Sequence, residues 1–248
     1  MPFTLAHPAV VVFMKRSKLK LSLTALVVGS MVPDFENFFR MRQDESIGHH
    51  GIGILLFNIP VGLLSCYLFH DLLKYAFIPN LPAPLRKRSW NALHFNWNVY
   101  AAKHMITVLL CLLAGTTGHL LWDALTHQTG LFVRMIPVLR TELPWVPFSL
   151  PVYFILQVVS SIAGIWILFG AVRKMPEMNV PERNNTGIVH YWMAFAVIVT
   201  MIMIIHFIFF RNIHAYVSDL KALLGAMLYG WIIVSILKYH EARQQLSR

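Results

Sequence analysis

Three ionisable residues near the end of one long apolar run carry the clearest chemical signal in this 248-residue chain: His119, Asp123 and His127. Spaced at i, i+4 and i+8, they fall on one stripe of a helix, because four residues turn it by about 400° and leave an offset of only about 40°. Imidazole and carboxylate are the side chains that hold divalent transition metals, so the stripe points to a metal site. Helical rise limits how it can work. Neighbouring members lie ~6 Å apart along the axis and can share an ion, whereas the outer two lie ~12 Å apart. One ion held by all three requires the helix to unwind near Thr126. Otherwise Asp123 bridges two ions, with His119 on one and His127 on the other. The competing reading is a buried polar stripe satisfied by hydrogen bonds, but ionisable groups at membrane depth are costly and mark function by default.

Three further places could complete such a site. In Gly29-Ser30-Met31-Val32-Pro33-Asp34-Phe35-Glu36, a helix ending at Pro33 sets Asp34 and Glu36 just beyond it. In Gly48-His49-His50-Gly51, adjacent histidines between glycines suit a backbone that brings an imidazole close to an ion, with either His49 or His50 as the ligand. His7 stands between Ala6 and Pro8, and a turn at Lys15–Lys20 would return the chain so that His7 and Asp34 share one end. The remaining histidines, among them His70 and His206, stand apart or lack a partner at ligand spacing. Cys66 and Cys111 each sit inside an apolar run and offer neither a disulfide framework nor a thiolate site, so any metal must be held by His and carboxylate.

The elements that position these residues are membrane helices. The chain is 57% apolar and only 13% charged, with a mean hydropathy of +0.59. A soluble domain is nearer a quarter charged, so the bilayer is the expected solvent. Five runs approach the 20 or so residues that cross a hydrocarbon core: approximately Ile52–Phe69, Met105–Leu125, Leu150–Val172, Ile188–Phe210 and Ala222–Tyr239. Pro60 should kink the first of them. Ala9–Met14 and Leu21–Val32 are too short to span and read as short helices or a re-entrant hairpin. The stretch Asp34–His50 reads as a polar loop at one face. The expected fold is an all-α multi-pass bundle in one integral domain over residues 1–248, with motifs in 1–150 and generic transmembrane helices in 151–248.

The formal charge of +10 would suggest nucleic acid in a soluble chain, but here the basic residues lie between spans. The loops His70–His104 and Arg173–Gly187 with the tail after Tyr239 hold ten Lys and Arg, against four in Thr126–Ser149 and Arg211–Lys221. The richer set is expected to face the cytoplasm and its anionic headgroups, which leaves Asp34, His49 and His127 together near the outer face. Arg86-Lys87-Arg88 reads as a lipid anchor, with no nucleic-acid partner. The opening residues lack the basic segment of a cleavable signal.

Met1-Pro2-Phe3-Thr4-Leu5-Ala6-His7-Pro8, the Pro33-Asp34 turn, Leu56-Phe57-Asn58-Ile59-Pro60-Val61-Gly62 and His119-Leu120-Leu121-Trp122-Asp123…Thr126-His127 together resemble an uncharacterised bacterial family of multi-pass membrane proteins. More distantly they resemble the inner-membrane metal-dependent hydrolases, which share a Thr-His near the N-terminus, a Pro-Asp turn, a His-Ser/Thr step and a Ser-His-x-x-x-Asp helix. The resemblance covers most of residues 1–150. It implies His7, Asp34, His49, His119, Asp123 and His127 as metal ligands. His50 and Gly118 depart from the pattern, standing where Ser or Thr and Ser are common. The His-x-x-x-Asp helix is also similar to one in zinc-dependent phospholipases C.

The expected function is a membrane-embedded hydrolase in a bacterial cytoplasmic membrane, with one or two zinc ions or another divalent transition metal. A lipid or lipid-linked ester or phosphoester would be its substrate, and Glu36 would take the proton from a metal-bound water. The alternatives are an ion or small-molecule transporter that uses the stripe as a path, and a non-catalytic protein in which a metal staples the N-terminal segments to the helix Met105–Leu125.

Overall fold

The computed structural model describes residues 3–12, 14, 21–42, 47–145, 148–210 and 216–246. The proposed turn at Lys15–Lys20 lies outside them. Among the described residues, five helical runs are long and apolar enough to cross a membrane: Gly51–Asn80, Trp97–Met135, Val152–Arg173, Asn185–Phe210 and Asp219–Tyr239. The chain is therefore an all-α multi-pass protein, with short helices before the first span.

The helices are α1 (Pro8–Val12), α2 (Leu23–Gly29), α3 (Phe35–Arg40), the composite run α4 (Gly51–Asn80), α5 (Trp97–Thr126), α6 (Leu131–Met135), α7 (Val152–Arg173), α8 (Asn185–Phe210) and α9 (Tyr216–Leu246). Two expected loops carry structure. Asp34–His50 holds α3 and a 3-10 turn at Ile47–His49, and the segment before α7 forms an antiparallel hairpin of Glu142–Trp145 and Phe148–Pro151. Both were hidden because elements of three to six residues are too short to show a hydrophobic period. The helical run of α5 begins at Trp97, earlier than the hydropathy suggested, but it is kinked at His104, whose φ of -131° and ψ of 31° are not helical, so the apolar span expected from Met105 is the segment after the kink. Pro60 is accommodated by a π-turn over Ile54–Asn58, in which the Ile59 N–H donates to the Ile54 carbonyl five residues back. The widened turn relieves the clash a proline ring makes with the preceding turn.

The chain divides into two compact units, each assembled from three separated stretches. The first comprises Met1–Asp34, Ile47–Leu63 and His104–Lys174; the second comprises Phe35–Ser46, Leu64–Lys103 and Met175–Arg248. Helix α7, which carries no motif, thus belongs with the motif-bearing segments.

In the first unit α2 and α5 meet at glycines on both sides. A Cβ on Gly29 would strike the Leu112 carbonyl, and one on Gly115 would strike the Leu26 carbonyl. Close approach of backbones through small residues is the usual device of membrane helices, where lipid removes the hydrophobic drive between them. Thr116 Oγ1 donates to the Gly29 carbonyl at 3.2 Å and fixes the register. In the second unit α8 and α9 pack through Tyr191 and Val234, joined by Ala76 of α4. Trp192 Nε1 donates to the Asn80 carbonyl at 2.8 Å, and Tyr229 donates to the Phe39 carbonyl at 2.8 Å.

Candidate metal centre

All six sequence-proposed ligands belong to the first unit. Helix α5 is continuous through Thr126, so His119 and Asp123 project from one face a turn apart, and His127 stands just beyond the helix end. The Asp123 carboxylate is the hub. Its Oδ1 lies 3.2 Å from His7 Nε2 and 3.4 Å from His127 Nδ1, while its Oδ2 lies 3.3 Å from His119 Nε2 and 3.5 Å from His49 Nε2. Four imidazoles therefore approach a single carboxylate, two at each oxygen.

Each approach has a local cause. His7 follows the 3-10 turn Thr4–Ala6, and its ring stacks on His119 with centroids 4.0 Å apart. His49 ends the turn Ile47–His49, which presses onto Asp34 because Gly48 has no side chain. A Cβ there would meet Asn58 Oδ1 at 2.7 Å and the Pro33 carbonyl at 3.0 Å. Asn58 Nδ2 donates to the Gly48 carbonyl at 2.8 Å and holds that turn in place. His50, by contrast, is exposed, so His49 is the histidine the backbone brings inward.

Among the described residues, two groups of ligand atoms are compact enough to hold an ion: His7, His119 and Asp123, and Asp34, His49 and His119. His119 is common to both, and its tautomer limits what it can do. Its Nδ1 lies 2.8 Å from the Ser30 carbonyl, which can only accept, so Nδ1 carries the proton and donates. Nε2 then has one lone pair and can bind one ion. That lone pair faces Asp123 Oδ2, itself an acceptor, in a residue with no solvent exposure. Two acceptors buried face to face are stable only with a cation or an extra proton between them.

The second carboxylate is held similarly. Thr4 Oγ1 donates to Asp34 Oδ2 at 2.5 Å, which leaves Oδ1 without a hydrogen bond, 3.9 Å from His49 Nε2. His7 Nδ1, His49 Nδ1 and His119 Nε2 are likewise buried without hydrogen-bond partners. The site is closed around His7, Asp34 and His119 but reaches solvent at one edge, where the side chains of His49 and His127 are 29% and 25% exposed.

His127 belongs to neither compact group. Its Nδ1 lies 3.2 Å from the Asp123 carbonyl, to which it donates as a cap on the helix end. The stripe therefore does not share an ion along its length: partners for His119 and Asp123 come from the N-terminal turn and the His49 turn. Glu36 lies on α3 in the second unit, where its carboxylate pairs with Arg40 at 2.8 Å.

Sequence reasoning missed the Thr4 hydroxyl and the Ser30 carbonyl. Thr4 had only its place three residues before His7 as a signal, and a backbone carbonyl has none. His206, expected to be structural, stacks on Phe210 with centroids 5.6 Å apart. A family model described as a domain of unknown function, DUF4184, matches residues 1–239. No curated protein and no solved structure matches the chain.

Proposed function

The chain belongs to the DUF4184 family, a domain of unknown function, and on that footing we propose that it is a membrane-embedded metal-dependent hydrolase. The observation that carries the reading is the convergence of buried ligand atoms: His7 and His119 on opposite oxygens of Asp123, with Asp34 and His49 beside them and His119 Nε2 without a hydrogen-bond partner. Nitrogen and carboxylate donors suit zinc or a neighbouring divalent transition metal. His7, His119 and Asp123 would hold one ion, and Asp34 and His49 would supply ligands to a second. An ion of this kind lowers the pKa of a bound water towards 7 and polarises the scissile bond.

The residues supply the rest. Thr4 and the Ser30 carbonyl hold Asp34 and His119 at fixed angles, as outer-shell partners do for metal ligands. His127 is the proton acceptor of choice over Glu36, which is occupied by Arg40. With Nδ1–H donated to the Asp123 carbonyl, His127 keeps the Nε2 lone pair free at the exposed edge. Hydrolysis adds hydroxide from water to the carbonyl carbon or phosphorus and breaks the bond to the ester oxygen. The proton taken by His127 then returns to the departing oxygen.

A lipid or lipid-linked ester or phosphoester is the substrate class suggested by a site built into membrane helices. The excess of Lys and Arg in the expected cytoplasmic loops supports a reading in which the protein lies in a bacterial cytoplasmic membrane with the cluster near the outer face. Lys74 leaves that tally, because it is buried in α4. Transport ranks lower, since the most apolar window of α8 buries none of its residues within the protein and offers no matching path. A structural staple is the serious rival, favoured by ligands drawn from separate segments.

Metal analysis of the intact, detergent-purified protein tests the reading. We expect one or two equivalents of a divalent transition metal, lost in Asp123→Ala and His119→Ala while helical circular dichroism is retained. The absence of zinc, iron and manganese from the native protein would sink it. Full occupancy without hydrolysis of any ester or phosphoester lipid would leave the staple.

A further inference from the structure

Against the closed side of the cluster lies a cleft of about 240 Å³, bounded by the N-terminal segment, by Trp122 of α5 and by α7. Its walls are apolar: Ala9, Val10, Trp122, Ala163 and Ile167 among them. Two serines also line it, but their hydroxyls are spent on the backbone. Ser160 and Ser161 donate to the Gln157 carbonyl at 3.2 and 2.7 Å, and Ser161 accepts from the Phe3 N–H at 3.1 Å. His7 is the wall residue that ties the cleft to the cluster. It is 97% buried, its Nε2 turns to Asp123, and its Nδ1 has no hydrogen-bond partner.

Ordinary side chains would close this space. Gly164 allows Ala6 to within 3.0 Å of where a Cβ would stand, so the N-terminal turn is seated there and the cleft remains beside it. Helix α7 also faces lipid around the cleft. Ile162, Ile165 and Trp166 are 55%, 46% and 70% exposed on a span that crosses the bilayer. The lining residues Ala163, Gly164 and Ile167 thus alternate along α7 with exposed apolar ones, and the apolar lining matches acyl chains.

We infer that the cleft is a slot for an acyl chain of a membrane lipid, entered sideways from the bilayer, which brings the ester or phosphoester at the end of that chain against His7, the wall residue the slot shares with the cluster. The chain slot stands on its own geometry; delivery to a reacting centre rests on the hydrolase reading. A water-soluble ester lacks the group that fills the slot, so the substrate class narrows to acyl lipids.

Photo-crosslinking tests this on the full-length protein. It is reconstituted in phosphatidylethanolamine and phosphatidylglycerol vesicles containing phosphatidylcholine with a diazirine midway along one acyl chain. Peptides are then mapped by mass spectrometry, and metal content is measured on the same sample. Labelling of Trp122 and Ile167 is expected several-fold above that of exposed residues on α8. Ala163→Phe should remove that excess at unchanged metal content, and Ile167→Trp gives a second block. Even labelling of all lipid-facing helices would overturn the slot, whatever the metal content. Enrichment at the slot in a protein that holds no metal would uphold the slot and remove the hydrolase reading instead.

Discussion

The two units both bury ionisable side chains within membrane helices, yet they treat them in opposite ways. In the second unit Lys74 is 1% exposed and fully answered: its Nζ donates to the Ala92 carbonyl at 2.9 Å and to the Phe95 carbonyl at 2.8 Å. His70, one turn earlier, lies flat on Trp97 with ring centroids 4.8 Å apart. The Lys74 cation ties α4 to the short helix at Asn91–His94 and to the chain that follows, with a donor facing an acceptor in each bond. In the first unit the buried His119 Nε2 has no hydrogen-bond partner and lies 3.3 Å from Asp123 Oδ2, on which His49 also converges. The lesson is that burial of a charge does not mark a site by itself; a surplus of lone pairs converging on one point does.

The largest expected effect comes from removing the hub without changing its shape. Asp123→Asn should weaken metal binding by more than about a hundredfold, beyond the 10- to 100-fold typical of outer-shell groups. Chelator competition on the purified protein measures it. Lys74→Met, the matched change in the other unit, should leave that affinity alone. If both variants bind metal alike, the contrast between the units is wrong.

Stability reverses the order. Lys74→Met removes the charged donor from two part-buried hydrogen bonds, to the Ala92 and Phe95 carbonyls, and a hydrogen bond to a charged group is worth about 1.5–3 kcal/mol. A loss of about 2–4 kcal/mol should appear in thermal unfolding in detergent. An unchanged transition would mean that water reaches those carbonyls and that Lys74 is no more structural than the cluster.

Gly115→Ala joins the two measurements. Its methyl would push against the Leu26 carbonyl and within 2.7 Å of the Ser30 nitrogen. Overpacking of this kind costs about 1–3 kcal/mol. Because the Ser30 carbonyl orients His119, metal affinity should fall with it, by about tenfold. A stability loss with affinity intact would show that the tautomer of His119 is set elsewhere.

These residues also show what the sequence could and could not disclose. His119 and Asp123 were legible because helical spacing alone puts them on one face. The five spans were legible because a hydrocarbon core demands long apolar runs. The rest depended on tertiary pairing. Gly29 and Gly115 matter only as a pair eighty-six positions apart in sequence. The same holds for Ser30, which acts through a backbone atom. His127 sat on the right stripe but past the last helical turn, so periodicity overstated its part as a ligand. The residue after His49 looked equally able to bind metal until the Gly48 turn showed which imidazole faces inward.

The smallest effect probes the outermost support of the cluster. Thr4 Oγ1 donates a 2.5 Å hydrogen bond to Asp34 Oδ2 inside the protein, and both residues are at least 98% buried. Thr4→Val keeps the shape and deletes the donor, so Asp34 can rotate away from His49 and the binding of a second ion should weaken. Thr4→Ser restores the hydroxyl and should restore the affinity. A drop of about tenfold in Thr4→Val, recovered in Thr4→Ser, is the expected reading from stepwise metal titration. The first equivalent, on His7, His119 and Asp123, should be unaffected, since the Thr4 hydroxyl bonds to Asp34 and the His7 N–H reaches only the Thr4 backbone carbonyl, which the substitution keeps. If both equivalents weaken together, the cluster holds its metal as a single unit, and the division of ligands around Asp123 must be redrawn.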